Sequence, residues 1–203
     1  MNNYPYRKRH QYKFRNMLLS MNYDLLMIEG EIKKIYDYYN VDEVSLHVIA
    51  LEDRRFFRHG GVDLLSVLRE ALKCIMGRKH GGASTIDMQL VRTLTGFRER
   101  TLYRKIYEIV LSVLVNYKFT KKQILACYLK HAFFGSKLIG VDAAALAVFN
   151  KPRYLLSAKE SAFIAAMLLR PMPLNRNEKW LEAAISRARY ANRIRFGMEQ
   201  RPE

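Results

Sequence analysis

The chain has 203 residues, of which 50% are hydrophobic and 12% aromatic; this supplies a folded core and excludes wholesale disorder. It carries 35 lysine and arginine residues against 19 acidic ones, a formal charge of +16. A field of this sign attracts polyanions, so the partner classes to weigh are nucleic acid, an anionic membrane surface and phosphorylated substrates.

The first 22 residues are predicted to form a basic, aromatic arm ahead of a single domain over residues 23–203. Basic and aromatic side chains alternate in this arm, with no acidic residue before Asp24: Tyr4, Tyr6, Arg7, Lys8, Arg9, Tyr12, Lys13, Phe14 and Arg15. The pattern suits a lipid headgroup layer, and it equally suits RNA or a solvated arm. No run reaches the roughly 18 consecutive apolar residues of a membrane span, and no cleavage site follows the arm. Neither a transmembrane segment nor a signal peptide is therefore predicted.

Apolar residues recur at helical spacing through most of the chain, so the protein is predicted to be mainly α. One helix is expected within residues 23–40, broken near Gly30, and another within 41–57. Glu52 and Asp53 fall late in this second helix, where a carboxylate opposes the helix dipole. Such a placement is expected if a carboxylate is positioned for chemistry.

Seven more helical segments follow in chain order: residues 63–77, 85–94, 101–119, 120–135, 140–152, 157–169 and 177–198. Ser84 or Thr85 is expected to cap the helix of residues 85–94, and Gly135 to end the helix of residues 120–135. Ser157 followed by Glu160 is a capping-box pattern.

Single polar clusters in this sequence are ordinary, but their order and spacing are informative. "EDRRFFRHGG", starting at Glu52, has the form E-D-x-x-F-x-x-H-x-G, and "GGASTIDMQLVR" follows from Gly81. "RKIYE", starting at Arg104, has the form R-K-x-x-E, and "KKQILACYLKHAFFG" and "LLRPMPLN" come after it. Over roughly residues 42–194 this series resembles the five motifs of the peptidoglycan glycosyltransferases, the lysozyme-like enzymes of family 51.

The resemblance implies a mainly α, lysozyme-like glycosyltransferase fold with a larger head lobe and a smaller membrane-facing lobe. It implies transfer of a growing glycan from an undecaprenyl-pyrophosphate donor to the GlcNAc 4-hydroxyl of lipid II, with inversion in a single displacement. By motif position Glu52 is the general base that this hydroxyl needs. Asp53 is its supporting carboxylate, and Phe56 and His59 are packing and orienting residues of the same loop.

The resemblance also assigns the residues around the pyrophosphate leaving group, where negative charge grows and preorganised cations stabilise it. Arg104 and Lys105 match the family's phosphate-contacting pair, and Arg92 stands where the family commonly has lysine. Glu108 matches the family's second catalytic carboxylate, which acts at the donor site, with a divalent cation (Mg²⁺ or Mn²⁺) as a candidate partner. No organic cofactor is implied. The second motif adds polar substrate-binding residues: Ser84, Thr85 and Gln89.

The sequence departs from the family pattern at four positions. Asp87 and Met88 replace the usual Thr and Gln of the second motif, and Ala126 and Lys130 replace Glu and Asn of the fourth. An alternative therefore stays open: a non-catalytic or altered-specificity relative that binds polyprenyl-pyrophosphate ligands or a cell-wall partner.

Two further alternatives are weaker. A helical nucleic-acid-binding protein rests only on the charge and the basic arm, and a lysozyme-like hydrolase does not explain the R-K-x-x-E cluster. The expected partners are thus the lipid-linked disaccharide, the growing glycan, the membrane surface and cell-wall synthesis proteins, with no nucleic acid. The resemblance places the protein at the periphery of the cytoplasmic membrane, with its active site on the outer face.

Overall fold

The computed structural model describes residues 14–35, 40–77, 82–97, 99 and 101–199. Within these residues there are nine α-helices and one short antiparallel strand pair, which confirms the predicted mainly α class. The helices are α1 (Phe14–Lys33), α2 (Glu43–Glu52), α3 (Leu64–Ile75), α4 (Ile86–Thr95), α5 (Leu102–Lys118), α6 (Lys121–His131), α7 (Val141–Phe149), α8 (Ala158–Ala166) and α9 (Glu178–Glu199). The strands are β1 (Phe133–Gly135) and β2 (Leu138–Ile139), and 3-10 turns cover Phe56–Arg58 and Arg153–Leu155.

The chain forms two compact units, each built from two stretches of sequence. The first unit takes the described residues of 1–38 and 55–127, and so contains α1, α3, α4, α5 and the start of α6. The second takes those of 39–54 and 128–203, with α2, the end of α6, the strand pair and α7 to α9.

Helix α1 runs without a break through two positions where the sequence predicted a boundary. It crosses residue 22, the end of the predicted arm, and the part of that arm before residue 14 lies outside the described residues. The predicted break at Gly30 is wrong. Ile28 and Ile32 on either side are almost completely buried, and their burial outweighs the cost of about 1 kcal/mol for a glycine in a helix.

The core of the first unit forms where α1, α4 and α5 pack together. Tyr107 on α5 donates a buried hydrogen bond of 2.7 Å to the Asp24 carboxylate on α1, which fixes the two helices against each other. Fully buried apolar side chains from the three helices fill the space between them: Ile28, Ile32, Met88, Leu90, Leu111 and Val115.

The second unit packs α8 and α9 through small residues. Ala162, Ala166, Ala188 and Ala191 are buried in one cluster, and Leu51 at the end of α2 packs against it. Alanine lets helix backbones approach closely, so α2 is seated on a dense α8–α9 pair. The predicted capping box of α8 is confirmed, since the Ser157 and Glu160 side chains each accept from the other's backbone N–H.

The helix predicted over residues 120–135 ends early, at His131, and Gly135 is a strand residue instead of a helix stop. Gly135 pairs with Met172 in a parallel bridge. A Cβ at this position would lie 2.6 Å from the Met172 carbonyl oxygen, so only glycine allows the two backbones to approach. The predicted stop was therefore wrong because this glycine serves a tertiary contact.

Helix α3 is strongly amphipathic, yet its apolar side faces outward. Five large apolar side chains at helical spacing have exposed fractions between 49% and 83%: Leu64, Leu65, Leu68, Leu72 and Ile75. Across the described ranges, every helix is too short or too polar to span a bilayer.

Candidate active site

A cluster of side chains on α4, on α5 and just before α4 contains five of the predicted site residues. Glu108 on α5 is fully buried. Its Oε1 accepts hydrogen bonds of 2.8 Å from Arg92 Nε and from Arg104 Nη1, and its Oε2 accepts one of 3.1 Å from Arg92 Nη2. Ser84 Oγ accepts from Lys105 Nζ at 3.0 Å and from Arg92 Nη2 at 3.3 Å. The structure thus brings these side chains together as one hydrogen-bonded group.

The local sequence explains how α5 supplies this cluster. Thr101 caps the helix, with its side-chain oxygen accepting from the Arg104 backbone N–H at 3.1 Å. Arg104 and Glu108 are four residues apart and so lie on one face of the helix. Arg104 and Lys105 sit near the positive end of the helix dipole, where cations are disfavoured and anions are attracted. The helix end therefore adds to the positive potential instead of offsetting it.

The cluster carries more positive than negative charge. Three cations, Arg92, Arg104 and Lys105, surround the Glu108 carboxylate. Burial lowers the pKa of Lys105 below its usual value, and the two guanidinium groups add to this, while the Glu108 carboxylate acts in the opposite direction. An added anion would relieve this repulsion, so the cluster is suited to bind phosphate groups.

A divalent cation does not fit at Glu108 in this arrangement. Both of its carboxylate oxygens already accept charge-assisted hydrogen bonds, and the neighbouring groups are cations. Mg²⁺ and Mn²⁺ need oxygen ligands that are open to the ion. Glu108 is therefore not assigned a metal-binding role.

The remaining residues of the second motif lie at the start of α4. Thr85 is buried and caps this helix, accepting from the Met88 backbone N–H at 3.2 Å, which confirms one of the two predicted caps. Its hydroxyl also donates a hydrogen bond of 2.6 Å to the Gly61 carbonyl oxygen. Gln89 is partly exposed one turn further along the helix. Thr85 thus links α4 to the segment that contains Phe56 and His59.

That segment is buried in the first unit at its two ends, Phe56 and Gly61. The Phe56 side chain is fully buried, and the His59 ring meets it edge-on, with the ring centroids 6.3 Å apart. Gly61 has φ of +94°, and a Cβ there would lie 2.5 Å from the Ser112 carbonyl oxygen of α5. The glycine therefore satisfies both an unusual backbone angle and a close approach to a helix.

Sequence reasoning missed a second ionic group in this unit. Asp87 is fully buried on α4, and its oxygens accept from Lys121 Nζ at 2.9 and 3.0 Å and from Asn116 Nδ2 at 2.7 Å. Burial raises the pKa of Asp87, and the Lys121 ammonium and Asn116 amide act in the opposite direction. A signal was present in the sequence: Lys121 is the first residue of α6, where the helix dipole disfavours a cation.

The other departures from the family pattern have simple structural accounts. Met88 is fully buried on α4, and its sulfur lies 4.0 Å from Lys105 Nζ. Ala126 is buried in α6, and Lys130 is exposed near the end of that helix. The two substituted residues with polar neighbours, Asp87 and Met88, are therefore the ones that alter the surroundings of the predicted site.

Glu52 and Asp53 belong to the second unit. Glu52 is the last residue of α2, which agrees with its predicted place late in a helix, and its side chain is partly exposed. Asp53 is buried, and its backbone N–H donates to the Ile49 carbonyl oxygen to close the helix. His47, one and a half turns before Glu52, is also buried, and its Nε2 lies 2.8 Å from Asn192 Oδ1 of α9. Helix α2 is thereby fixed to α9.

The arginines that follow Glu52 have structural partners of their own. Arg54 donates to the Ala50 carbonyl oxygen at 3.3 Å and to the Tyr190 hydroxyl of α9 at 2.9 Å. Arg55 pairs with Asp63 at 3.6 Å in the first unit. These contacts brace the chain on either side of the point where it leaves α2.

Comparison with known proteins identifies the family. Residues 9–196 match the family model described as "Transglycosylase". Penicillin-binding protein 1A of Rickettsia felis is 46% identical over 131 residues, which is 63% of this chain and 17% of that protein. Penicillin-binding protein 1A of Aquifex aeolicus is 40% identical over 143 residues, or 68% of this chain and 20% of that protein. Penicillin-binding protein 1A of Escherichia coli is 40% identical over 128 residues, which is 63% of this chain and 15% of that protein.

The chain thus matches a fifth or less of the length of these relatives, whereas the family model covers nearly all of the chain. Together with the mainly α structure, this match confirms the resemblance drawn from the five motifs. The chain belongs to the transglycosylase family.

Proposed function

We propose that this protein is a peptidoglycan glycosyltransferase that polymerises lipid II, or a related undecaprenyl-pyrophosphate-linked sugar, with inversion at the anomeric carbon. The observation that carries the proposal is the cationic cluster around Glu108. A glycosyltransferase that uses a pyrophosphate leaving group needs fixed cations where the negative charge develops, and Arg92, Arg104 and Lys105 supply them.

The proposed reaction is a single displacement. The 4-hydroxyl oxygen of the acceptor GlcNAc attacks the anomeric carbon of the donor and forms the new glycosidic bond. The bond between that carbon and the pyrophosphate oxygen breaks, and the electron pair leaves with the undecaprenyl pyrophosphate. The hydroxyl proton passes to the Glu52 carboxylate, the general base. Asp53, buried at the end of α2, supports the base without taking the proton.

Roles follow from the contacts of each residue in the first unit. Arg104, Lys105 and Arg92 contact the donor phosphates. Glu108 acts by holding the two guanidinium groups in place beside each other, because its carboxylate accepts hydrogen bonds from both of them. The remaining residues bind substrate or shape the site: Ser84, Thr85, Gln89, Phe56 and His59.

We also propose that the protein lies at the periphery of the cytoplasmic membrane, with its active site on the outer face. The exposed apolar side of α3 supports the membrane location, because five large apolar side chains on one helix are costly in water and stable at a lipid interface. The formal charge of +16 would add attraction to anionic headgroups.

Vesicle co-sedimentation tests the membrane proposal. The double variant Leu68→Gln/Leu72→Gln should bind phosphatidylglycerol vesicles at least about tenfold more weakly, since each buried leucine contributes about 1.5–3 kcal/mol. Leu181→Gln/Ile185→Gln, a pair at the same spacing on α9 with exposed fractions of 44% and 36%, is the matched control. Equal loss in both variants would argue against a role for α3.

Polymerisation of purified lipid II in detergent tests the catalytic proposal. Wild-type protein should form glycan strands, and Glu52→Gln should lower the rate by at least about 100-fold because the proton acceptor is lost. Glu43→Gln, at the other end of α2, should retain activity and controls for the stability of the helix. Full activity in Glu52→Gln would remove Glu52 from the role of base. Binding of lipid II without polymer from the wild type would favour the non-catalytic alternative.

A further inference from the structure

The Asp87–Lys121 pair connects three helices inside the first unit. Asp87 is in the first turn of α4, Asn116 is near the end of α5, and Lys121 begins α6. The carboxylate has no exposed area and three hydrogen bonds of 2.7 to 3.0 Å. A buried pair of this kind is on average no more stabilising than apolar residues of the same size. The pair is therefore better explained by the groups that it holds in place than by a contribution to stability.

Lys121 also contacts the segment from Phe56 to Gly61. Its ammonium lies 4.4 Å from the centroid of the buried Phe56 ring, inside the distance of about 6 Å for a cation–π interaction. The same nitrogen is 3.5 Å from His59 Nδ1. The Lys121 side chain is only 15% exposed, so Asp87 and Phe56 together define where the ammonium can lie.

The far end of the segment is held independently. The Gly61 carbonyl oxygen accepts from the Thr85 hydroxyl, and the Gly61 backbone lies directly against Ser112 of α5. Lys121 therefore anchors the start of the segment, and Thr85 anchors its end. Both anchors depend on the first turn of α4, through Asp87 and through the helix cap.

We infer that Asp87 is a positioning residue: through Lys121 it fixes the segment from Phe56 to Gly61, which follows the proposed base Glu52 in the chain. The inference rests on the proposed function for its kinetic consequence only. It gives a use to the residue that stands in place of the family's usual Thr. In this protein the second motif is linked to the first by a buried carboxylate and an ammonium.

A charge-free double variant separates positioning from stability. Asp87→Asn/Lys121→Met removes both charges together and leaves an amide oxygen for Asn116, so no unpaired ion is buried. We expect this variant to fold and melt cooperatively. Its kcat for lipid II polymerisation should fall by about tenfold or more, because small displacements of a catalytic segment are costly, with KM changed by less than about threefold.

Hydrogen exchange gives a readout that does not depend on turnover. The amides of residues 57–61 should exchange about tenfold faster or more in the double variant, while those in α8 and α9 keep their wild-type rates. The matched control is Glu29→Gln/Lys118→Met, which removes an ion pair of 3.0 Å between α1 and α5 at the surface. This control should change neither kcat nor exchange in residues 57–61.

The two measurements distinguish failure of this inference from failure of the proposed function. Wild-type kcat and wild-type exchange in Asp87→Asn/Lys121→Met would overturn the positioning role. If the wild-type protein forms no polymer, the proposed function fails, and the exchange rates of residues 57–61 still decide whether Asp87 and Lys121 hold the segment. Unchanged exchange in that case overturns the inference as well.

Discussion

Replacing Glu108 by glutamine removes the negative charge between Arg92 and Arg104 without changing the size of the side chain. The wild-type carboxylate is fully buried and accepts three charge-assisted hydrogen bonds. Breaking a buried ion pair by removing one partner costs roughly 3–5 kcal/mol. Because the Arg92 and Arg104 side chains are 33% and 17% exposed, they regain some hydration, so we expect a loss near the lower limit, about 3 kcal/mol.

Calorimetry measures this loss as a change in the melting temperature. For a domain of this length each kcal/mol corresponds to about 2–4 °C, so Glu108→Gln should lower the Tm by roughly 6–12 °C. Glu29→Gln is the matched control. Glu29 is also paired with two cations, Lys33 at 2.7 Å and Lys118 at 3.0 Å, but at the solvent-exposed surface of α1. Its substitution should leave the Tm within the error of the measurement.

The comparison tests the burial argument directly. If both variants melt at the same temperature, the Glu108 cluster behaves like a solvated surface ion pair, and the reasoning about a net positive, desolvated phosphate site fails. A large drop confined to Glu108→Gln supports it. In that case added inorganic pyrophosphate should raise the Tm of the wild type, because an anion relieves repulsion among the cations.

Three further predictions follow from single residues. Lys105→Met should raise the Tm at pH 7 while lowering the rate of polymerisation by about 100-fold or more. Burial lowers the pKa of Lys105, so below that pKa the charged ammonium destabilises the folded protein relative to the unfolded one. The gain in Tm on removing it should therefore vanish as the pH approaches 10.5, where the ammonium of the unfolded chain also loses its proton. Gly61→Ala should lower the free energy of unfolding in urea by more than about 1 kcal/mol, since the new Cβ would lie 2.5 Å from the Ser112 carbonyl oxygen at a φ of +94°. The hydrogen bond from Lys151 lowers the Glu160 pKa from 4.5 to about 2. The stability lost in Glu160→Gln, measured by circular dichroism, should therefore be constant above pH 4.5 and should disappear as the pH falls towards 2.

The local features of the fold could be read from the sequence because they depend on neighbours in the chain. The helix α5 and its Thr101 and Phe119 boundaries, the Thr85 cap and the Ser157–Glu160 capping box all follow from short-range rules. The predictions were wrong where the structure of a residue depends on a partner distant in the sequence. Gly30 continues a helix because its neighbours are buried, and Gly135 enters a strand because Met172 lies against it.

The candidate site also has features that the sequence predicts and features that depend on tertiary packing. Motif order and spacing identified the family and pointed to Glu52, Arg104, Lys105 and Glu108, since the chemistry of a pyrophosphate leaving group needs those residue types. The sequence could not show that Glu108 is enclosed by two arginines, because Arg92 comes from another helix.

Asp87 marks the limit most clearly. In the sequence it is a departure from the family motif, and its charge at a buried position argues against a working site. The tertiary structure brings Lys121 from 34 residues away to within 2.9 Å of it. A buried charge is acceptable only with a partner. The sequence places a cation at the start of α6, but only packing brings that cation to Asp87 on a separate helix.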